Sequence, residues 1–274
     1  MKHIISLGAG VQSSTMALMA AKGELTPMPD CAIFADTGDE PLGVYKWLSW
    51  LERQLPFRVY TVSKPGGPLS KQNNFVATSK LSGRRYMKMF IPSFSEYDEN
   101  GKHYKGMSMR KCTNDFKIRV IIRACREIAG HKRGGTDVEV SQWIGISKDE
   151  AHRMKPARER WIENRWPLIE KGMTRANCLT WMKSNGFPQP PRSACVYCPY
   201  HNDREWSRLK REEPDEFAKA VAFEADMQRA AKDVPQMKGV PFLHRTMKPL
   251  AEVEFDEAHT SNLFINECEG MCGV

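Results

Sequence analysis

Residues 3–19 read HIISLGAGVQSSTMALM and combine a strand, a glycine-bearing loop and the start of a helix. The apolar run His3–Leu7 is typical of a short buried strand, and Ser13–Ala21 carries apolar residues at helical spacing. Between them, Gly8–Gly10 allows a ligand to approach the backbone closely. Backbone N–H groups and the positive end of a helix dipole suit such a place to phosphate. The stretch therefore predicts a nucleotide site, although a glycine turn between strand and helix is often only structural.

Strands and helices continue to alternate after this segment. Strands are predicted at Cys31–Ala35 and Phe57–Val62, with a helix over Val44–Leu55 between them and a later strand at Val138–Ile146. This order predicts an α/β fold with a doubly wound, mostly parallel sheet. Ligands of such sheets lie at the carboxyl ends of the strands.

We expect two regions in the chain. Residues 1–160 would form the nucleotide-binding α/β domain, with an irregular insertion at 63–110 that contains a hairpin across Arg84–Ile91. Residues 161–274 would form a helical C-terminal region that carries a Cys-x-x-Cys turn and a cysteine-containing tail. Helices are predicted at Asp115–Ile128, Thr174–Asn185, Asp203–Glu212 and Asp215–Lys232.

The chain is basic, with 41 Lys and Arg against 33 Asp and Glu and a formal charge of +8 over 274 residues. Basic residues are dense at Lys80–Lys88, Arg110–Arg133 and Lys148–Arg165. This clustering of basic residues favours a surface that binds polyanions such as nucleic acid. The alternative is an ordinary surface with a slight excess of basic residues. No run approaches the roughly 18 apolar residues that span a bilayer, and the N-terminus lacks a secretory layout. We therefore expect a cytoplasmic protein with no membrane partner.

Three segments resemble one known superfamily. Gly8–Ser14 is similar to the Ser-Gly-Gly-x-Asp-Ser-Ser/Thr loop of PP-loop ATP pyrophosphatases, the adenine nucleotide alpha hydrolases, with Gln12 in place of the usual Asp. Ile33–Gly38 resembles the strand end beside the adenosine in phosphoadenylylsulfate (PAPS) reductases. Trp143–Ser147, followed by Arg153, resembles their Gly-x-Arg-x-x-Glu-Ser-x-x-Arg segment, with Ser147 where Arg is usual. The resemblance implies a Rossmann-like HUP fold.

The resemblance also implies the residues of a site for ATP or an adenylylsulfate-type nucleotide. Asp36 and Asp39 would contact Mg²⁺ or ribose, and Arg153, with Lys155 nearby, would contact phosphate or sulfate during catalysis. The implied nucleotide contacts are Ser6, Gly8, Ala9, Gly10, Gln12, Ser13, Ser14, Asp36, Thr37, Gly38, Gly145 and Arg153.

A second candidate site involves cysteines. Cys195 and Cys198 have the spacing that lets two thiolates reach one metal or cluster, and Cys112 follows basic Arg110 and Lys111, which favours its thiolate. Two packed thiols are the plain alternative. Cys112 also resembles the cysteine at the corresponding helix start in cluster-containing adenylylsulfate reductases and DNA-phosphorothioation sulfurtransferases of this superfamily. The expected group is a 4Fe–4S cluster, or Zn²⁺, with Cys268 as a candidate for the open fourth position.

The C-terminal tail carries Cys268 and Cys272 and loosely resembles the Glu-Cys-Gly tail of PAPS reductases, whose cysteine is the nucleophile. Three readings stay open: a tail cysteine completes a cluster, a tail cysteine is a catalytic nucleophile, or both are incidental. The other three cysteines, Cys31, Cys125 and Cys178, have apolar neighbours and are expected to pack in the core.

Four further residues carry weaker expectations. Asp203 is expected to cap the next helix, and Trp143 is a candidate to border a ligand. His244 and Arg245 are candidates for an acid–base group and an anion contact, although surface roles are the simpler expectation for both.

The function expected from these features is that of an ATP-binding enzyme that cleaves at the α-phosphate. It would adenylate a tRNA, DNA or nucleotide acceptor for iron–sulfur-dependent sulfur transfer, with a separate sulfur donor. One alternative is a PAPS or adenylylsulfate reductase that uses Cys268 as nucleophile with thioredoxin as partner. The other is a non-catalytic nucleic-acid-binding protein with structural zinc.

Overall fold

The computed structural model describes residues 1–73, 75–234 and 237–257. The strands are β1 (Lys2–Leu7), β2 (Cys31–Asp36), β3 (Arg58–Ser63), β4 (Val76–Thr78), β5 (Arg85–Met87), β6 (Phe94–Glu99), β7 (Lys102–Met107), β8 (Val140–Ile144) and β9 (Ile162–Arg165). The α-helices are α1 (Val11–Ala21), α2 (Leu42–Glu52), α3 (Leu69–Gln72), α4 (Arg119–Ala129), α5 (Pro167–Glu170), α6 (Arg175–Ser184), α7 (Asp203–Glu212) and α8 (Pro214–Lys232). A π-helical turn at Thr113–Ile118 precedes α4, and 3₁₀ turns lie at Lys148–Arg153 and Leu250–Glu252.

The chain divides into two compact units. Among the described residues, the first comprises Met1–Pro65 and Thr113–Ser193, and the second comprises Gly66–Cys112 and 194–257. The predicted boundary at residue 160 does not separate these units, because β9, α5 and α6 belong to the first. The segment expected as an insertion at 63–110 falls almost entirely in the second unit.

The first unit contains a five-stranded sheet in the order β3-β2-β1-β8-β9, with every neighbouring pair parallel. The chain builds outward from β1 through β2 to β3 and then returns to β8 on the other side of β1. The predicted α/β class with a parallel sheet is confirmed. The strand order reverses between β1 and β8, which is where ligands of such sheets bind.

Helices cover both faces of this sheet. Side chains alternate between the two faces along each strand, so apolar residues on each face need a helix to bury them. On one face Ile5 and Phe34 belong to a buried cluster with residues of α1, α2 and α6. On the other face Ile4 and Ile33 pack with Ile121 of α4. Each fully buried aliphatic or aromatic side chain contributes roughly 1.5–3 kcal/mol by leaving water.

The helix predicted at Asp115–Ile128 is present as α4, which follows the π-helical turn and is amphipathic. Ile121 and Cys125 are fully buried against the sheet, while Arg123 and Arg126 are exposed. The helix ends at Gly130, whose φ of +67° is the left-handed conformation that glycine adopts without steric cost.

The second unit is built from two hairpins and two longer helices. The hairpin expected across Arg84–Ile91 is wrong: β5 pairs with β4, and a second hairpin joins β6 to β7. The turn of the second hairpin is Asn100-Gly101, both with positive φ (52° and 72°). Asn-Gly is a strong hairpin signal because a type I′ turn needs two such residues, so this hairpin was readable from the sequence.

Helix α8 closes the second unit through a buried carboxylate. Glu224 accepts backbone N–H bonds from Leu243 (2.7 Å) and Leu250 (2.6 Å), and Phe94 bridges to Phe242. Burial raises the pKa of Glu224 above its ordinary value, although the two bonds oppose the shift. Within the ranges that the structure describes, no helix is long and apolar enough to cross a membrane.

Candidate functional site

The loops that follow β1 and β8 lie side by side at the reversal of strand order. Ser6 of β1 is paired with Ile144 of β8, so Gly8–Gly10 and Gly145–Ser147 leave the sheet at the same edge. Both segments were predicted to bind nucleotide. Their juxtaposition follows from the strand order and puts them where ligands of doubly wound sheets are held.

Gln12 connects the two loops. Its side chain is buried in the first turn of α1, and Nε2 lies 3.2 Å from Glu150 Oε2 and 3.4 Å from Ser147 Oγ. Arg175 Nη1, at the start of α6, donates to Gln12 Oε1 at 2.7 Å. The amide of Gln12 therefore satisfies three polar partners at once. Its neutral side chain stands where the resembled loop has an aspartate, beside the Glu150 carboxylate.

The glycine loop is held by its own hydroxyls. Gly8 N donates to Ser13 Oγ (3.2 Å), Trp47 Nε1 donates to Ser14 Oγ (2.9 Å), and Ser193 Oγ donates to the Gly8 carbonyl. Ser13 and Ser14, expected to contact phosphate, are fully buried and use these oxygens within the protein. These hydrogen bonds fix the shape of the loop and leave each hydroxyl proton available to a ligand.

Two backbone features of the loop bear on ligand approach. Its left-handed residue is Ala9 (φ +58°), not one of the glycines, and Ala9 is fully buried. Gly10 precedes α1 in an extended conformation, and none of the described side chains caps this helix. In β1, just before the loop, Ser6 Oγ is buried without a hydrogen-bond partner among the described residues. These atoms fit the contacts of a polar ligand.

The segment after β2 forms a tight turn. Asp36 Oδ1 accepts hydrogen bonds from Gly38 N (2.7 Å) and Tyr45 Oη (2.8 Å), and Gly38 has a φ of +74°. Burial and the Asp36 carboxylate raise the pKa of Tyr45, so its hydroxyl keeps the proton that it donates. One carboxylate oxygen of Asp36, the residue expected to reach Mg²⁺ or ribose, is thus engaged in the turn. Asp39, half-buried, donates its N–H to Thr37 Oγ1 at 3.4 Å.

A buried ion pair lies behind this turn. Lys117 Nζ is 3.3 Å from Glu40 Oε1, and Thr37 Oγ1 donates to the same oxygen at 3.3 Å. Both charged side chains are almost completely buried. The pair ties the turn after β2 to the π-helical turn before α4, and no motif in the sequence pointed to it.

Arg153, expected as a catalytic and phosphate-binding residue, is buried beside an acidic partner. Its Nη1 lies 2.8 Å from Glu150 Oε2, the same oxygen that Gln12 contacts. The structure therefore brings Arg153 and Arg175 to opposite sides of the Gln12–Glu150 contact. Arg175 was not singled out in the sequence, where only the Thr174–Asn177 capping box marks its position.

In the second unit, the Cys-x-x-Cys segment forms a tight turn. Cys198 N donates to the Cys195 carbonyl at 3.0 Å, and His201 Nε2 lies 3.0 Å from the same carbonyl. Burial raises the pKa of Tyr200, Arg110 opposes the shift, and the Cys198 and Cys112 thiols raise it further. Cys112 and Cys198 therefore lie within electrostatic range of one tyrosine, with the Arg110 guanidinium 5.0 Å from its ring centre.

These thiols do not form a complete metal site. In the part of the chain that the structure describes, no three His, Cys, Asp or Glu side chains stand close enough to share a metal ion. Cys268 and Cys272 lie outside the described residues. The three remaining cysteines are buried as expected, and burial raises the pKa of Cys31 to about 11 and of Cys125 to about 12.

The second unit also contains a buried polar cluster around Asp203. Asp203 Oδ1 contacts His244 Nε2 (3.1 Å) and the Arg245 guanidinium, and Oδ2 accepts from Asp256 N (3.0 Å). The expected cap role of Asp203 is wrong: the cap of α7 is Asn202, whose Oδ1 accepts from Glu205 N. His244 is fully buried, so the surface role expected for it is also wrong.

Trp143 does not border an open site. It is fully buried in the α1 face of the sheet, with the Arg165 guanidinium 4.4 Å from its ring centre.

No family model matches the chain, and no curated protein matches it either.

Proposed function

We propose that this protein is a PP-loop enzyme that binds ATP at Gly8–Ser14 and cleaves it at the α-phosphate to adenylate a nucleic-acid or nucleotide acceptor. The observation that carries the proposal is the position of Gly8–Ser14 at the reversal of strand order, joined through Gln12 to the segment after β8. Both segments carry the resemblance to PAPS-reductase-like proteins.

The charges around this position support an anionic ligand. Backbone N–H groups at the start of α1 and the helix dipole favour phosphate there. Arg153 pairs with Glu150 and Arg175 donates to Gln12, while Asp149 accepts from the Arg175 backbone N–H. The two guanidinium groups would therefore serve as hydrogen-bond donors to the phosphates, and the positive potential would come from the helix dipole.

The reaction requires positioning more than new chemistry from side chains. An acceptor oxygen forms a bond to the α-phosphorus, the bond to pyrophosphate breaks, and pyrophosphate leaves with the bonding electrons. A later sulfur nucleophile displaces AMP from the acceptor. The loop and the two arginines would orient the phosphates and stabilise charge as it develops. Mg²⁺ would enter with the nucleotide and offset the charge of its phosphates.

Sulfur transfer is the second half of the proposal. The Cys112 and Cys198 thiols both raise the pKa of Tyr200, and Cys195 lies in one tight turn with Cys198. This arrangement supports a thiol-rich site. Within the described residues, these thiols do not make up a complete ligand set for an iron–sulfur cluster or zinc.

Calorimetry tests the nucleotide site directly. ATP, AMP and adenylylsulfate are titrated into the wild type, into Gln12→Ala and into a surface control, Gln54→Ala. We expect ATP to bind the wild type and the control and to bind Gln12→Ala at least tenfold more weakly. If none of the three nucleotides binds the wild type, the proposal that this protein is a nucleotide-dependent enzyme is refuted.

Product analysis tests the reaction. Formation of pyrophosphate and AMP that depends on added tRNA or DNA supports adenylation of a nucleic acid. Release of sulfite from adenylylsulfate with thioredoxin would instead identify a reductase and refute the adenylation.

Anaerobic purification followed by iron, sulfide and zinc analysis tests the thiol site. We expect iron and sulfide that are lost when Cys112, Cys195 or Cys198 is changed to serine. Zinc without iron, in a protein that produces no pyrophosphate, would point to a structural metal and a binding protein.

A further inference from the structure

The first unit contains a cavity of about 250 Å³ between α4 and the β8–β9 edge of the sheet. Its floor is apolar and consists mainly of isoleucines, among them Ile122, Ile144 and Ile162. Buried Arg153 and exposed Lys155 and Arg158 line it as well. The volume is below that of pockets for drug-sized ligands, which begin at roughly 300 Å³, so the cavity suits a single flat group.

Three residues of the cavity lining carry buried polar atoms without hydrogen-bond partners among the described residues. Gln142 is fully buried, and among the described residues neither its Nε2 nor its Oε1 has a hydrogen-bond partner. The same holds for Asn164 Oδ1 and Trp166 Nε1, which belong to two further residues of the lining. Buried donors and acceptors are seldom left unpaired, because each unmade bond destabilises the fold. Adjacent unpaired donors and acceptors therefore indicate a ligand whose edge presents both.

A basic groove adjoins the cavity. Four arginines line it, Arg126, Arg133, Arg158 and Arg160, with Glu159 as the one carboxylate among its lining residues. Arg158 and Glu159 line the cavity as well, so the two spaces are neighbours. The groove measures about 830 Å³ and is bordered by Trp161, on which the His131 ring stacks at 4.4 Å. Its net charge is three positive units if His131 is neutral, which suits a chain of phosphates.

We propose that these two spaces form a binding surface for single-stranded nucleic acid, with phosphates along the arginines of the groove and one unstacked base in the cavity. The amide of a glutamine offers a donor and an acceptor side by side, which matches the edge of a nucleobase. A single strand is favoured over a duplex, because its bases reach a pocket at the smallest cost in unstacking. The inference rests on the proposed function in one respect, since it identifies the acceptor as a nucleic-acid strand.

Two of the three basic runs of the sequence meet in this groove. Arg126 and Arg133 come from the end of α4 and the loop after it, and Arg158 and Arg160 come from the segment that leads into β9. Each run by itself could be a solvated surface. Their convergence beside a cavity with unpaired polar atoms is what points to a nucleic-acid partner.

The groove is tested by fluorescence anisotropy with a labelled oligonucleotide of mixed sequence, as single-stranded DNA, single-stranded RNA and duplex DNA. The double variant Arg133→Ala with Arg160→Ala should bind single strands at least tenfold more weakly. The slope of log affinity against log salt should fall by roughly 0.7 for each lost phosphate contact. Lys46→Ala, on α2 at the opposite face of the sheet, is the charge-matched control and should bind as the wild type does. Equal binding by all three proteins, or a preference for the duplex, would overturn the proposal.

The cavity is tested by Gln142→Leu, which replaces the unpaired amide by an apolar group of similar size. This variant should keep or raise the melting temperature and yet bind single strands at least tenfold more weakly. Unchanged affinity would refute the base pocket. Gln142-dependent binding of a mononucleotide, with no binding of oligonucleotides, would refute the nucleic-acid partner.

The same variants separate this inference from the proposed function. ATP titrated into Gln142→Leu and into the arginine double variant should bind as it does to the wild type, because neither substitution removes Arg153, which lines the cavity, or the glycine loop, which lines neither space. Loss of ATP binding in Gln142→Leu would show that the cavity serves the nucleotide and would overturn the inference. Strand binding by a wild type that fails to bind ATP would support this surface while refuting the enzyme.

Discussion

Gln12 Nε2 lies 3.2 Å from Glu150 Oε2, although the two residues are 138 positions apart. The contact joins the first turn of α1 to the segment after β8 and places a neutral amide beside a carboxylate. An aspartate at position 12 would put two negative charges together in a buried place. The glutamine and Glu150 therefore belong together, and the departure from the resembled loop is compensated within this protein.

Replacement of Gln12 by alanine should destabilise the first unit. Glu150, Ser147 and Arg175 each lose a contact, and we expect a fall in unfolding free energy of about 1–3 kcal/mol. Urea denaturation compares it with Gln54→Ala, which is exposed and should change stability by less than about 0.5 kcal/mol. Equal effects of the two substitutions would show that the bridging contacts contribute nothing.

The buried pair of Lys117 and Glu40 predicts a strong asymmetry between single and double variants. Lys117→Met leaves a buried carboxylate without its cation and should cost about 3–5 kcal/mol. Adding Glu40→Gln removes the uncompensated charge, so the double variant should recover part of the loss. Urea denaturation of the three proteins measures both effects. A double variant less stable than Lys117→Met would contradict the assignment of the cost to Glu40.

The second unit should lose stability in mild acid because of His244. Burial lowers the pKa of His244 despite the opposing effect of Asp203. Below its ordinary pKa of about 6.5, the unfolded chain takes up a proton that the folded chain does not, so stability falls as the pH drops through this range. His244→Gln should flatten the dependence of melting temperature on pH between about 7 and 5. A profile parallel to that of the wild type would contradict the mechanism.

Asp203 should act at lower pH and with the same sign. Burial raises its pKa, but hydrogen bonds from Arg245, His244 and the Asp256 backbone outweigh this, and the net pKa is lowered. The contribution of Asp203 is complete above its ordinary pKa of about 3.9 and is lost as the pH falls through the lowered value. Asp203→Asn should remove this acid-sensitive part from melting curves recorded below about pH 4. An unchanged acid limb in that variant would exclude Asp203 as its source.

Alkylation should distinguish the described cysteines by burial and pKa. Cys112 is half-buried, whereas Cys31 and Cys125 are buried thiols whose pKa is raised to about 11 and 12. Because the thiolate is the reacting form, iodoacetamide at neutral pH should modify Cys112 well before the other two. Peptide mass spectrometry at several times gives the order. Early labelling of Cys31 or Cys125 in the folded protein would contradict their packing in the core.

The sequence determined those parts of the fold that depend on near neighbours. Alternating apolar strands and helices predicted the parallel α/β sheet, and a helix was predicted where α4 lies. The Gly8–Ser14 loop and the Cys-x-x-Cys turn were also recognisable, because backbone conformation there depends on a few consecutive residues. Asn100-Gly101 was an equally local signal for a hairpin.

The partners of buried polar groups were decided only by the tertiary structure. Nothing near Gln12 in the chain indicates Glu150 or Arg175, and nothing near Asp203 indicates His244. The order of the strands brings together the loops after β1 and β8, and the packing of α4 against the sheet brings two basic runs into one groove. A local pattern follows from interactions within a few residues, whereas these contacts depend on how distant segments are placed, which requires the whole sheet to form.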